Sequence, residues 1–401
     1  MGSLYSNGMA INDGALRIAL VSRALEPTTH GGIARFMTQL APALRERGHD
    51  VRMISQAVPS TKSPSTNGPS TRSLVPEAFG HINHFTSAVV DDLDALVAAG
   101  WTPHAVYGPA WDIEVLGVLR ATQFPTCAML ATPLAIAIDH SGHNTLDADR
   151  PGFARMLTLE AEVFTRAHRV HAISDSIVST INHNYPVVLS PPRTVVRPLG
   201  LCDTSTPPRR SSKKINVLFV GRLERRKGID TLLEAIPELL AQHPQLHVTI
   251  AGQEMPHVGR NIGFADEFRT TYRKQRWLKR VHFVGEVSNK QLTKLYATSH
   301  IACFPSRYES FGLVAIEAMQ NSLPVIATFG SGLEDIVQHQ HDGLLVPPND
   351  VAALSRAINT LVQDPALRQT YGTNARRHYD STFTIAHAAQ HVESILREIA
   401  R

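Results

Sequence analysis

"VLFVGRLERRKGIDTLLEA", residues 217–235, changes its hydrophobic period in the middle. An unbroken apolar run, Val217 to Val220, ends at Gly221, and a short basic turn carries the chain to Gly228. After it, Ile229, Leu232, Leu233 and Ile236 recur at the spacing of one helix face. A strand that passes through a tight turn into a helix is the repeating unit of an α/β fold.

The unit repeats on both sides. Upstream, "LRIALVS" (16–22) reads as a strand, "IARFMTQLAPALRERG" (33–48) as a helix with Ile33, Phe36, Met37 and Leu40 on one face, and "DVRMIS" (50–55) as the next strand. Further strands are predicted at "HAVYG" (104–108), "PTCAML" (125–130) and "RVHAIS" (169–174). Downstream they return at "HVTIAG" (247–252), "VHFVG" (281–285), "HIACFPS" (300–306), "PVIAT" (324–328) and "GLLVPP" (343–348). Strands apolar along their whole length, separated by helices, predict parallel sheets covered on both faces. Pro42 removes a backbone donor and is expected to kink its helix. "PSTKSPSTNGPSTRS" (59–73) buries too little apolar surface to order itself and is expected to be a mobile loop. The Pro- and Ser-rich stretch 184–212 breaks the rhythm and marks the domain boundary. The expected architecture is two doubly wound, Rossmann-like domains, residues 1–205 and 206–383, followed by a helix within 384–401.

Composition narrows the function classes. The chain has 401 residues, 43% of them hydrophobic, enough for a core in each domain. No apolar run approaches the roughly 18 residues that span a bilayer, and the polar N-terminus lacks the pattern of a signal peptide. The formal charge of +4 is spread along the chain, which argues against nucleic acid as a partner; it suits anionic small molecules and allows peripheral association with an acidic membrane. Cys127, Cys202 and Cys303 are far apart, which suggests neither a disulfide framework nor a zinc site and fits a reducing cytoplasm.

In open α/β sheets ligands bind beyond the carboxyl ends of the strands, where helix N-termini attract anions. Three such segments carry chemistry. After Gly221, Arg222 and Lys227 place two cations at a strand end, suited to a diphosphate; Arg225 and Arg226 also allow a merely solvated basic turn. In "PSRYESFGLVAIEAM" (305–319), Ser310 is the expected N-cap, Phe311, Gly312 and Leu313 offer backbone N–H groups, and Glu309 and Glu317 frame the helix start. Two carboxylates on either side of an anion-binding helix end suit a ligand with hydroxyls at both ends and phosphate between them. In "THGGIARFM" (29–37), Gly31 and Gly32 permit close backbone approach, although the spaced glycine fingerprint of a dinucleotide site is missing.

Together, "GRLERRKG" (221–228), the stretch from Val281 to Met319 and "PVIATFGSGLEDIVQHQHDGLLVPPND" (324–350) strongly resemble the retaining glycosyltransferases of the E-x7-E type, glycosyltransferase family four. The resemblance is dense over 215–350, looser over 16–55 and faint between 60 and 210. It implies a GT-B architecture: an acceptor-binding N-terminal domain, a nucleotide-sugar-binding C-terminal domain, a cleft between them, and a last helix packed back across the junction. It further implies that Arg222 and Lys227 bind the donor diphosphate, that Glu309 contacts the transferred sugar, that Ser310 to Leu313 meet sugar and phosphate, and that Glu317 holds the ribose. Gly221 and Val287 fall at donor-side positions, Val287 at the base, and Gly31 or Gly32 approaches the diphosphate from the other domain.

The implied reaction moves a hexose-type sugar from an NDP-sugar, with UDP or GDP the leading nucleotides, to an acceptor hydroxyl, with no further cofactor and no metal. Asp92 and Asp94, and Asp147 and Asp149, match the D-x-D of metal-dependent transferases, but "DDLDALVAAG" (91–100) reads as an amphipathic helix. The family's acceptor-side histidine has no clear counterpart: "LATPLAIAIDHSGH" (130–143) puts Thr132 near that place, with His140 on an expected loop. Trp111, in "YGPAWDIEVLG" (107–117), is a further acceptor-side candidate. A metabolite, a natural-product aglycone, a polysaccharide and a lipid-linked sugar all remain open as acceptor. The competing readings are an epimerase of the same fold and a non-catalytic sugar-nucleotide binder.

Overall fold

A computed structural model describes residues 14–26, 31–55, 72–141, 146–204, 213–255 and 262–400. Its described strands form two wholly parallel sheets of six. The first is built from β1 (Arg17–Val21), β2 (Asp50–Ile54), β3 (Ala105–Pro109), β4 (Thr126–Met129), β5 (Arg169–Ala172) and β6 (Thr194–Val196). The second comprises β7 (Ile215–Val220), β8 (Leu246–Ala251), β9 (Val281–Gly285), β10 (Ile301–Phe304), β11 (Val325–Thr328) and β12 (Gly343–Val346).

The strand orders decide where ligands can go. The first sheet runs β2-β1-β3-β4-β5-β6 and the second β12-β11-β10-β7-β8-β9. In each, the winding direction reverses once, between β1 and β3 and between β7 and β10, so the loops after those strands diverge and leave a crevice. Registers at both places are regular: Ile18 pairs with Ala105, and Val217 with Ile301. The inner strands are buried along almost their whole length because helices cover both faces, whereas the edge strands β2, β6 and β9 are partly exposed.

The helix Gly32–Glu46 continues through Pro42, with Phe36, Met37, Leu40 and Leu44 buried on the core. Residues 59–71 of the Ser/Thr/Pro stretch lie outside the described residues. No described helix is long and apolar enough to cross a membrane.

The chain passes between the domains twice. It leaves β6 through residues 197–214 to reach β7, and returns at 383–384 after the helix Pro365–Thr382. The crossings are bonded to one another: Leu201 N–H donates to Phe383 C=O at 3.0 Å, and Ile385 N–H to Leu201 C=O at 2.9 Å. Gly200 allows this, since a Cβ there would lie 2.1 Å from the Thr384 carbonyl oxygen. The last helix, Ile385–Ile399, then packs on Gly32–Glu46 and across β3, β4 and β5, burying Ala388, Ala389, Val392, Ile395 and Leu396. Leu396→Ala should cost about 2–4 kcal/mol. Hydrogen exchange followed by mass spectrometry should find the lost protection in β3–β5, and β7–β12 unchanged.

Candidate active site

The crevice between β7 and β10 is shaped by one close approach. Gly228 has φ 69° and ψ 24°, and a Cβ there would fall 1.8 Å from the Pro305 carbonyl oxygen. Only glycine lets the basic turn after β7 press against the loop after β10. That contact sets Lys227 beside Glu309, whose Oε1 accepts from the lysine Nζ. Burial alone would lift the Glu309 carboxyl, but Lys227, Arg226 and Arg222 outweigh it and hold it below the ordinary range. Burial lowers the Lys227 ammonium, with Glu309 opposing.

The turn is not uniformly solvated. Arg226 is buried, its Nη2 donating to Glu224 Oε1 at 2.7 Å while its carbonyl accepts the Arg307 N–H at 2.8 Å. Arg222, by contrast, keeps 52% of its side chain exposed; it lines the cleft with its Nη2 3.2 Å from Glu224 Oε1. Gly221 does not line the cleft; it sits against Phe219 and Lys227 and shapes the turn from behind.

Ser310 does not cap the helix that follows β10. That helix is Leu313–Gln320, and its N-cap is Gly312 at φ 111°, where a Cβ would come 2.5 Å from Leu333 Cδ2. Ser310 instead ties the domains together: its hydroxyl donates to Thr132 Oγ1 at 2.7 Å, and its carbonyl accepts from Ser174 Oγ at 2.6 Å. Phe311, Gly312, Leu313 and Val314 form the wall beside it. Glu334 buttresses this region by accepting the Gly330 N–H at 2.7 Å.

Glu317 is buried one turn further in, and both of its oxygens are engaged. Arg35, from the first domain, donates to Oε1, and the Tyr296 hydroxyl donates to Oε2 at 2.8 Å. Arg35 also donates to Asn289 Oδ1 at 2.8 Å and lies 3.5 Å from Glu26. Burial raises the Glu317 carboxyl, with Arg35 and the Tyr296 hydrogen bond pulling the other way. Arg35 is legible only as the third residue after Gly32 on a helix that faces the cleft, and sequence reasoning passed over it.

The opposing wall belongs to the first domain. Gly31, at φ 138°, is the N-cap of Gly32–Glu46, and a Cβ on Gly32 would sit 3.1 Å from Leu313 Cδ1, so the two helix starts nearly touch. After β3, the turn Trp111–Ile113 carries Asp112 at φ 51° and Ile113 at φ 52°, left-handed conformations that cost on the order of 1–3 kcal/mol each outside glycine. It presents a half-buried Trp111 to the cleft and is followed by Glu114, a buried carboxyl that sequence reasoning also missed. His140 belongs to the helix Leu134–Ser141, not to a loop, because the apolar run after Pro133 is helical; its side chain lies outside the described residues.

Residues of both domains enclose a cleft of about 880 Å³. Arg222, Lys227, Val287, Glu309 to Leu313 and Glu317 line one side; Gly31, Gly32, Trp111 and Thr132 line the other. Asp92 and Asp94 are on the helix Gly80–Ala98, away from these walls, where Arg72 pairs with Asp94 at 2.7 Å. Among the described residues no cluster of three histidine, cysteine or acidic side chains is arranged to hold a metal.

Two Rossmann-like domains whose crevices share one cleft define the GT-B class of glycosyltransferases. The comparisons with known proteins agree: residues 204–378 match the family described as glycosyl transferases group 1, and residues 31–200 match the glycosyl transferase 4-like domain. The chain belongs to this family and is a glycosyltransferase. It is similar to a glycogen synthase of Mycobacterium tuberculosis, 29% identical with 94% of each chain covered. A D-inositol 3-phosphate glycosyltransferase of Acidothermus cellulolyticus is 26% identical over 88% of this chain and 83% of its own. Among solved structures, a sucrose-phosphate synthase from Thermosynechococcus elongatus superposes with a TM-score of 0.74 at 25% identity, covering 96% of this chain and 99% of its own.

The Glu309 carboxyl is held below its unfolded value, so the Lys227–Glu309 pair stabilises the fold above about pH 4.5 and loses that effect as pH falls through the folded value. Lys227→Met should lose about 3 kcal/mol at pH 7, the cost of stranding a buried charge. Urea titrations from pH 7 to pH 3 should show the gap between variant and wild type shrinking with acid; a constant gap would remove the ion pair as its source.

Proposed function

We propose that the protein transfers a hexose-type sugar from a nucleoside diphosphate sugar to an acceptor hydroxyl, with retention at the anomeric carbon and without a metal ion. The observation that carries this reading is the meeting of Lys227, Glu309 and the Gly312 helix start at the reversal between β7 and β10. A diphosphate seated there faces the Lys227 ammonium, the exposed Arg222 guanidinium and the positive end of a helix. The bond between the anomeric carbon and the diphosphate oxygen breaks, its electron pair leaves with the nucleoside diphosphate, and the acceptor oxygen bonds to the same carbon. The acceptor proton passes to the departing diphosphate.

Cations and helix N–H groups fixed before the reaction stabilise charge where it develops, which is the larger part of what such a site supplies. Glu309, kept ionised by Lys227, accepts hydrogen bonds from the hydroxyls of the transferred sugar. In this reading Glu317 accepts from the ribose hydroxyls, which share it with Arg35 and the Tyr296 hydroxyl or displace one of them. The chain's likeness to glycogen synthase and to the inositol phosphate transferases supports a sugar or polyol acceptor.

The test is release of free nucleoside diphosphate from UDP-, GDP-, ADP- and dTDP-sugars in EDTA, with and without a pool of candidate acceptors. Acceptor-dependent release of one nucleotide in chelator is the expected result, and product anomers read by NMR should keep the donor configuration. Acceptor-free turnover that yields an epimer would replace the reading. Arg222→Ala should lower transfer about 100-fold or more while stability stays within about 0.5 kcal/mol, since the side chain is exposed. Glu309→Gln should blunt discrimination among donor sugars, measured as the ratio of kcat/KM for glucose and mannose donors.

A further inference from the structure

The reaction outlined above leaves one buried carboxyl of the cleft unused. Glu114 follows β3 at the reversal of the first sheet, the place where an open α/β sheet receives its ligand. Its residue is 1% exposed, yet it forms part of the cleft wall together with Trp111. Oε2 accepts the Arg23 N–H at 2.9 Å, which links the loops after β1 and β3. Among the described residues nothing else bonds to this side chain, because the Arg23 guanidinium is taken by Asp112. The turn that delivers Glu114 is also the strained one, with Asp112 and Ile113 in left-handed backbone. Strain of that kind persists where the surroundings enforce it, and it collects at ligand sites.

We propose that Glu114 is an acceptor-binding residue, whose second carboxyl oxygen hydrogen-bonds a hydroxyl of a sugar or cyclic polyol seated against Trp111, Arg23 and Ala24. This rests on the glycosyltransferase reading given above. Burial, only partly offset by Arg23, lifts the carboxyl to about 8. At neutral pH the group therefore keeps its proton, and it can donate one hydrogen bond and accept another, as a hydroxyl can. Arg23 is the charged group that acts on it among the described residues. On the elements packed against the turn, Asp112 pairs with Arg23, Glu160 and Glu162 of the helix Leu146–Arg166 with the Tyr185 hydroxyl and Arg120, and Asp91 and Asp94 of Gly80–Ala98 with Arg72. The helix Gly80–Ala98 also carries Asp92, whose carboxyl burial raises, and His81 and His84. With Arg23 neutralised and Glu114 ionising just above neutrality, this end of the cleft favours uncharged hydroxyls over an anion.

The test compares wild type, Glu114→Gln and Glu114→Leu, with the sugar nucleotide that wild type hydrolyses and six acceptors: glucose, maltose, maltotriose, glucose 1-phosphate, fructose 6-phosphate and myo-inositol 1-phosphate. Glu114→Leu should raise the KM of the accepted sugar about 5- to 100-fold, since it leaves a substrate hydroxyl and the Arg23 N–H unpaired. Glu114→Gln, whose amide still donates and accepts, should stay within about threefold of wild type. Titration with the matching nucleoside diphosphate should give the same affinity for all three proteins. The wild-type acceptor KM should climb above pH 8 as the carboxyl ionises, and that of the Gln variant should not. An unchanged acceptor KM in the Leu variant, or a Gln variant as impaired as the Leu one and with the wild-type pH profile, overturns the assignment. So does a wild type that hydrolyses its donor but uses none of the six acceptors. A wild type that binds no sugar nucleotide at all overturns the reading beneath it instead.

Discussion

A carboxylate withdrawn from water must have a cation beside it or take up a proton, and Glu309 has Lys227. The pair exists because Gly228 lets the turn after β7 touch the Pro305 carbonyl, which brings two segments 82 residues apart into one ion pair. The neighbouring features follow from it. Arg226 is buried to brace the same turn, Gly312 replaces a side-chain cap so that the next helix can start against Leu333, and Arg222 is left partly exposed beside Glu224 in the cleft wall. Charge is thus fixed in place ahead of any ligand, the condition under which it acts most strongly on a developing anion.

The two halves of the cleft are built on different physics. The part of the cleft around β7 and β10 is ionic, with carboxylates and cations paired at Lys227–Glu309 and at Glu317–Arg35, the arginine reaching over from the first domain. The part after β3 presents an aromatic residue, Trp111, and the buried acid Glu114, held by the Arg23 backbone N–H. Paired charges of this kind can match an anionic ligand, whereas an uncharged surface takes up hydroxyls without a net desolvation of charge. Ser174, Thr132 and Ser310 stitch the halves together with short hydrogen bonds between uncharged groups.

Much of this was legible in the residues. Strand and helix periods gave both sheets, since a parallel strand buried on two faces must be apolar throughout, as "VLFVG" is. The residues at the β7 and β10 ends were legible because their chemistry is packed into two short segments, 221–228 and 305–319. What stayed hidden depended on chain distant in sequence. Ser310 looked like a cap because a serine before an apolar helix usually is one; its hydroxyl is instead drawn to Thr132 of the other domain. Arg35 reaches Glu317 across 282 residues, and no local pattern reports that. Glu114 lay inside the quoted 107–117 segment, but its place follows from the left-handed turn at Asp112 and Ile113, a conformation that an aspartate tolerates and a β-branched isoleucine does not advertise.

The paired crossings at Leu201 and Thr384 fix how the cleft can open. Two bodies joined by one strand of chain can swivel about it in any direction; joined by two strands bonded side by side, they can fold only about the line those strands share. Leu201 and Phe383 hold the strands together through backbone hydrogen bonds, and Gly200 keeps them too close to slide. Rotation about that shared line is then the least hindered relative movement of the two domains, and in the structure Gly32 lies against Leu313 and Ser310 is bonded to Thr132.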